Sequence, residues 1–410
     1  MVGVMKRVLG VVVAGMWAGC AARRGPAPDR GMAADARLLR AGIPTAAEEV
    51  LAVYAADIDP QLRGVALAVA VRAEPARGGG AWGTAGVWDP DPWVQARVVS
   101  ALAQRVDETE TVGLLSELAA RTAVEPYTRC RAARFVPAPV PAAVVDATTV
   151  GWQNTPLWKA APCALTASGW GDGAATERVA QAVAEGAVAL DEPFLGDLAA
   201  ASQHGLVDAL KRGLVQADEL LRPAYARALL FHGDSTGLET FRTGLQDDDP
   251  LVRMEAVLLL ADAPVAADPL LGRVAQQVDS PEGLVAGVTV AARDGGGSIK
   301  PFEVALMSEN RDVRTVCIER FGTWAASMAA DGRSLPDRRV EKLLATAVVD
   351  PEVAVQRAAV EQIGRLGVGS LDPVVQALLA DDDADPMVRI AAAEAAILLS
   401  GGRGSGSDAS

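Results

Sequence analysis

The stretch Asp249-Pro250-Leu251-Val252-Arg253-Met254-Glu255-Ala256-Val257-Leu258-Leu259-Leu260 carries a helix start and a buried helix face in one run. Asp249 stands at the N-cap position. There a carboxylate accepts a hydrogen bond from a free helix N–H, and its charge suits the positive end of the helix dipole. Pro250 takes the first helical position, where its fixed φ is already helical and its missing N–H costs nothing. Val252 opens the apolar stripe. Arg253 lies about one turn into the helix, within reach of an aspartate at the turn of a neighbouring copy of the motif.

The phrase recurs along the chain. Asp59-Pro60-Gln61-Leu62-Arg63 and Asp385-Pro386-Met387-Val388-Arg389 repeat it closely. Asp91-Pro92-Trp93-Val94-Gln95, Glu125-Pro126-Tyr127-Thr128-Arg129, Asn310-Arg311-Asp312-Val313-Arg314 and Asp350-Pro351-Glu352-Val353-Ala354 are weaker copies. Pro156, Pro193, Pro223 and Pro281 add fainter anchors. With Arg311 counted as a substituted anchor, the spacing averages about 33 residues, which is a repeat period. Between the anchors lie partner segments with helical spacing at 45–56, 108–120, 175–185, 205–216, 267–278, 339–348 and 371–379. The expected fold is all-α. It is a solenoid of about 10–11 stacked antiparallel helix pairs, because one pair cannot bury its own apolar face.

Composition fits this expectation. The 410 residues are 50% hydrophobic but only 4% aromatic, so alanine supplies much of the buried surface and lets helices approach closely. A charged fraction of 22% excludes both a disordered tail and a polytopic membrane protein. The net charge of −14 argues against nucleic acid or anionic lipid as a partner. Two histidines leave little for histidine-based catalysis or a histidine-rich metal site.

The Asp-Pro phrases at Pro60, Pro250 and Pro386 resemble the HEAT-like repeat family, in the short variant related to bilin-lyase repeats. The resemblance covers roughly residues 44–400 and fades between about 137 and 220, where the arginine is missing. It implies a superhelix whose second helices, those opening with Asp-Pro, line a concave face. Residues 77–87 make a weak first helix because Gly78-Gly79-Gly80 falls within them. The long gap between Arg311 and Pro351 is expected to hold a protruding loop around Asp331-Gly332-Arg333-Ser334.

The first residues read as an address. Lys6 and Arg7 form a basic start, Val8 to Met16 an apolar core, and Trp17-Ala18-Gly19-Cys20 a run of small residues before a cysteine. The apolar core is too short to span a bilayer, which fits a cleaved secretory signal. The run resembles a bacterial lipoprotein signal, with Ala18, Gly19 and Cys20 matching the lipobox and Trp17 departing from its usual aliphatic. That resemblance implies cleavage before Cys20, a lipid on its thiol, and loss of two positive charges. An ordinary signal peptide cleaved near Ala22 is the other reading. Ala21 and Ala22 stand where an inner-membrane retention aspartate would be, so the outer membrane, facing the periplasm, is the expected address. The chain therefore divides into a signal at 1–19, a lipidated cysteine and tether at 20–32, the helical array at 33–400 and a disordered Gly/Ser tail at 401–410.

Chemistry-bearing patterns are sparse. Gly169-Trp170-Gly171-Asp172-Gly173 and Gly295-Gly296-Gly297 do not follow strands and lack a P-loop ending, so they read as turns. His204 and His232 have no cysteine or histidine at ligand spacing. Asp247-Asp248-Asp249 and Asp381-Asp382-Asp383 precede repeat helices, so capping and solvation account for them without calcium. No cofactor, metal or catalytic residue is expected. Cys130 and Cys163 fall at similar places on adjacent helices, where a disulfide is feasible and two buried thiols are the simpler account. Cys317 is then a buried thiol. Trp82, Trp88, Trp93, Trp152, Trp158 and Trp170 crowd into fewer than a hundred residues. They either fill gaps in irregular alanine stacking, the simpler account, or give Trp88, Trp93, Trp152 and Trp158 as a patch that anchors a partner.

The expected function is that of a lipid-anchored envelope scaffold, not an enzyme, with basic or polar envelope proteins as partners and no nucleic acid or small-molecule cofactor. Two other classes stand beside it. One is an enzyme or its accessory subunit, as some relatives of the short repeat are lyases. The other is a purely structural envelope component.

Overall fold

The computed structural model describes residues 44–73, 81–106, 108–121, 123–153, 157–170, 172–185, 204–217, 222–263, 267–294, 298–331 and 337–403. The signal, Cys20 and its tether, the anchors Pro156 and Pro193, and Gly332 to Ser334 lie outside the described residues. Among the described residues every regular element is a helix, and no strand occurs. The order opens with α1 (Thr45–Ala55), α2 (Pro60–Ala73), α3 (Ala81–Val87), α4 (Pro92–Leu102) and α5 (Thr109–Ala120). It continues with α6 (Pro126–Arg134), α7 (Ala142–Gln153), α8 (Leu157–Gly169), α9 (Gly173–Ala184), α10 (His204–Gln216), α11 (Arg222–Phe231), α12 (Gly237–Gly244) and α13 (Pro250–Asp262). It closes with α14 (Asp268–Val274), α15 (Pro281–Asp294), α16 (Lys300–Leu306), α17 (Arg311–Ala330), α18 (Asp337–Val348), α19 (Val353–Leu366), α20 (Asp372–Ala380) and α21 (Pro386–Arg403).

The repeated phrase starts helices as its residues dictate. Asp59, Asp91, Asp249 and Asp385 each accept the N–H two residues on, at 2.8 Å. Asn310 accepts from both Asp312 and Val313. Each cap is worth about 1 kcal/mol. Pro60, Pro92, Pro126, Pro250 and Pro386 all stand at the first helical position. Behind the cap, Val94, Val313 and Val388 are buried as the apolar stripe requires. Val252 departs from the pattern and is exposed, and Met254 takes the buried position instead. At the far end of α19, Gly367 has φ +67°. Val368 N–H reaches Ile363 O and Gly367 N–H reaches Gly364 O, a helix stop that favours glycine.

The chain forms two compact units, and the division falls within α5. Ser116–Ala267 make one of them. In it α8 packs on α6, α7 and α9, α10 on α9 and α11, and α11 on α12 and α13. Its interior is alanine, valine and leucine around Cys130, Cys163 and Tyr225. The Tyr225 hydroxyl is satisfied by donating to Val183 O at 2.6 Å.

The other unit joins the two ends of the helical region, up to Leu115 and from Asp268 onward. Its second helices lie side by side in the order α15, α17, α19, α21, α2, α4, with α14, α16, α18, α20, α1 and α3 paired to them. The last helix thus packs against the first two. Arg72 on α2 meets Glu394 on α21 at 2.8 Å, and Arg389 lies over the Tyr54 ring of α1 at 6.0 Å. Small residues allow close approach: a Cβ on Gly364 of α19 would sit 2.6 Å from Ala395 Cα of α21. The largest fully buried side chain, Trp324, packs with Phe302 and Phe321 at 5.5 Å between centroids.

Two expectations are corrected. The first is the copy at Pro351. It is not a helix start there, because Glu352 is the cap and α19 begins at Val353. Asp350 is buried, held by Arg314, and accepts the Glu352 N–H at 3.0 Å, so it stands two residues before the cap as Asp89 does before Asp91. The second is the tail, because α21 runs to Arg403, into the stretch expected to be disordered. The long gap after Arg311 is also partly helix, since α17 has 20 residues.

The seam between the chain ends makes stability depend on acid. Burial raises the Glu394 pKa, but Arg72 and Arg365 outweigh it and hold the carboxyl below its ordinary value. A carboxylate depressed in this way stabilises the fold above its unfolded pKa, and the gain is lost as the pH falls through the folded one. Glu394→Gln should cost about 2 kcal/mol at neutral pH, read as a lower melting temperature. The two melting temperatures should converge well below pH ~4.3. A gap unchanged by acid contradicts this.

Candidate functional site

The repeated phrase builds a connected ladder from turn to turn. Before α2, Asp57 Oδ1 accepts the Asp59 N–H, and Asp59 Oδ1 caps Gln61. Arg63, one turn into α2, donates Nη1 back to Asp57 O at 2.7 Å and Ile58 O at 3.2 Å. Its Nε and Nη2 reach forward to both oxygens of Asp89, at 2.6 and 3.0 Å. Asp89 also accepts the N–H of Asp91, the cap of α4. The same arrangement holds at Arg314. That residue donates to Ser308 O and Glu309 O and grips Asp350 at 2.8 and 3.0 Å.

One guanidinium therefore satisfies its own turn's carbonyls and holds the carboxylate of the next turn. Burial raises the Asp89 pKa, yet Arg63 and the Asp91 N–H overcome it and keep the carboxyl below its ordinary value. Asp89 in turn raises Arg63. Both acids are nearly buried, so these pairs carry more weight than exposed ones.

Arg253 shows the backward half, donating to Asp247 O and Asp248 O at 2.8 and 3.0 Å. Arg389 donates to Leu379 O and to Asp382. Gln95 and Gln356 take the arginine's place and keep one backward bond, to Asp89 O and Asp350 O. Gln356 sets the true register of its copy, two residues later than the proline indicates. The signal for that register is an aspartate two residues before the cap, seen at 57/59, 89/91 and 247/249. Of the aspartate runs, Asp247, Asp249 and Asp381 accept N–H groups of these turns, and Asp382 pairs with Arg389.

The tryptophans fall in both units. Trp93 is half covered: its ring lies against Gly64 of α2, where a Cβ would come within 2.5 Å, and Arg97 stacks on it at 4.6 Å. Trp82 and Trp88 are half-buried, and Trp170 is exposed at the turn where Asp172 caps α9. The side chains of Trp152, Trp158 and His204 lie outside the described residues. The structure thus puts Trp93 into helix packing and leaves one edge of it open.

Cys130 on α6 and Cys163 on α8 are joined in a disulfide, with Cα atoms 4.8 Å apart. The account of two buried thiols is corrected, because α6 and α8 pack directly. Cys317 is buried and donates to Phe302 O, and burial pushes its thiol pKa up, so it stays protonated. His232 is half-buried, and burial lowers its pKa, so it is neutral near pH 7. Among the described residues no group of three His, Cys, Asp or Glu is placed to hold a metal ion, and no helix is long and apolar enough to cross a membrane.

The chain matches no family model and no curated protein. Among solved structures, an engineered protein from the Northeast Structural Genomics Consortium aligns over 87% of this chain and 99% of its own. Identity is 17% and the TM-score 0.26, a likeness too slight to assign a fold.

Peptide mapping without reductant should find Cys130 linked to Cys163 and Cys317 as a thiol. Reduction should cost about 3–4 kcal/mol, because the bond closes a 33-residue loop. Free thiols at 130 and 163 in protein kept without reductant would contradict the pairing.

Proposed function

We propose that this chain is an exported, lipid-anchored bacterial envelope protein whose helix pairs form a HEAT-like solenoid serving as a protein-binding scaffold. The observation that carries the reading is the ladder. An arginine locked to the next turn, as at Arg63–Asp89 and Arg314–Asp350, makes successive pairs present the same groups at fixed intervals. Repeated presentation on a stiff array suits recognition of an extended partner. The anchor at Cys20 would hold that array at the membrane, with the outer membrane facing the periplasm as the address. The acidic balance suits basic or polar protein partners.

The test is in-cell crosslinking of the full-length tagged protein, followed by mass spectrometry, with Cys20→Ala alongside. The expected result is a small reproducible set of envelope proteins that is lost or weakened when Cys20 is replaced. Correct localisation with an empty capture would overturn the scaffold role and favour a spacing or enzymatic one.

A further inference from the structure

The turns that enter the second helices carry aliphatic side chains where solvent-facing turns are ordinarily polar. In the unit formed by the chain ends these are Val278, Met307, Val349 and Ile58, exposed by 62, 77, 76 and 96%. A single exposed aliphatic is unremarkable. All four lie in the turns that enter α15, α17, α19 and α2, two to four residues before the first helical residue. Those helices lie side by side in the order α15, α17, α19, α21, α2, so their entry turns run along one edge. Arg314 bound to Asp350 ties two of these turns together directly.

The edge is also acidic throughout. Asp57 and Asp59 flank Ile58, Asp279 follows Val278, Glu309 follows Met307, and Glu352 lies just past Val349. The α21 turn, which has no aliphatic tip, carries Asp381, Asp382 and Asp383, all exposed. Arg311 is exposed on this edge but lies against Asp312 and Glu352, at 3.7 and 4.0 Å. Packed helices are spaced about 8–10 Å apart, so the entry turns recur at about that interval, and Val349 and Ile58, with the α21 turn between them, stand at about twice it. A polyproline-II chain advances about 3.1 Å per residue, or about 9.3 Å per three residues.

We propose that this edge docks a basic polypeptide segment in an extended, polyproline-II-like conformation, with an aliphatic side chain at every third position and lysine or arginine between. The proposal rests on the scaffold reading and names the face that performs it. The aliphatics meet Val278, Met307, Val349 and Ile58, and the cations meet the aspartates beside them.

The first test titrates the purified full chain with a labelled synthetic peptide of five Leu-Lys-Lys repeats. Peptides of Gly-Lys-Lys and Leu-Glu-Glu repeats serve as controls. Leu-Lys-Lys should bind at least tenfold more tightly than Gly-Lys-Lys, weaken with salt, and outbind Leu-Glu-Glu. The combined variant Ile58→Ser, Met307→Ser, Val349→Ser should erase the tenfold difference without moving Tm, since all three side chains are exposed. Met307→Lys alone should weaken binding and provides a variant with a single change. Equal binding of the two basic peptides, or binding unchanged in both variants, overturns the proposal.

In-cell crosslinking of the combined variant separates the two readings. Loss of the captured set supports this edge. A set kept by the variant overturns the edge and leaves the scaffold standing. An empty capture by the unaltered protein removes the scaffold and the edge with it.

Discussion

A guanidinium that binds in two directions at once is the interaction on which the ladder depends. Arg63 and Arg314 each satisfy carbonyls at the start of their own helix and grip both oxygens of an aspartate at the next turn. The planar fork of arginine suits this, and lysine's single ammonium could not hold both sets in fixed geometry. The bond fixes distance and register between neighbouring pairs. Alanine-rich faces close without large side chains even where the forward bond is replaced, as the approach of Gly364 of α19 to Ala395 of α21 shows. Where glutamine replaces the arginine, at Gln95 and Gln356, the backward bond remains.

The meeting of the chain ends solves a problem that any stack of helix pairs has. A terminal pair exposes an apolar face, and open arrays cover it with a polar capping repeat. Here α21 lies against α1 and α2, so each end shields the other. The seam is held by Glu394, set against the charges of Arg72 and Arg365, and by Arg389 over Tyr54. Two segments more than 300 residues apart thus contribute to one unit, with Arg72 and Glu394 separated by 322 positions.

Much of this was legible in the sequence, because the Asp-Pro phrase acts locally. A cap and a proline determine a helix start through contacts two residues away, and the all-helical reading followed from them. The forward reach of the arginine was legible for the same reason, since a repeat places like groups at like turns. The copy at Pro351 was misread because proline is a weaker marker than the aspartate two residues before the cap. Only the burial of Asp350 by Arg314 reveals that difference. The disulfide turned on how closely α6 and α8 pack, which spacing leaves open. The seam was not legible, because no local pattern records which helices cover the two ends. The aliphatic turn tips were hidden for a related reason, since a lone valine or methionine looks like core until its exposure is known.

The measurement that tests this account most directly is a double-mutant cycle on Arg314 and Asp350. Both residues are replaced by alanine, singly and together, and unfolding is followed in urea. If the ladder holds neighbouring pairs in register, the coupling between the two sites should reach about 1.5 kcal/mol or more. Additive losses, within about 0.3–0.5 kcal/mol, would mean that the stack is held by its apolar faces alone and would contradict the account.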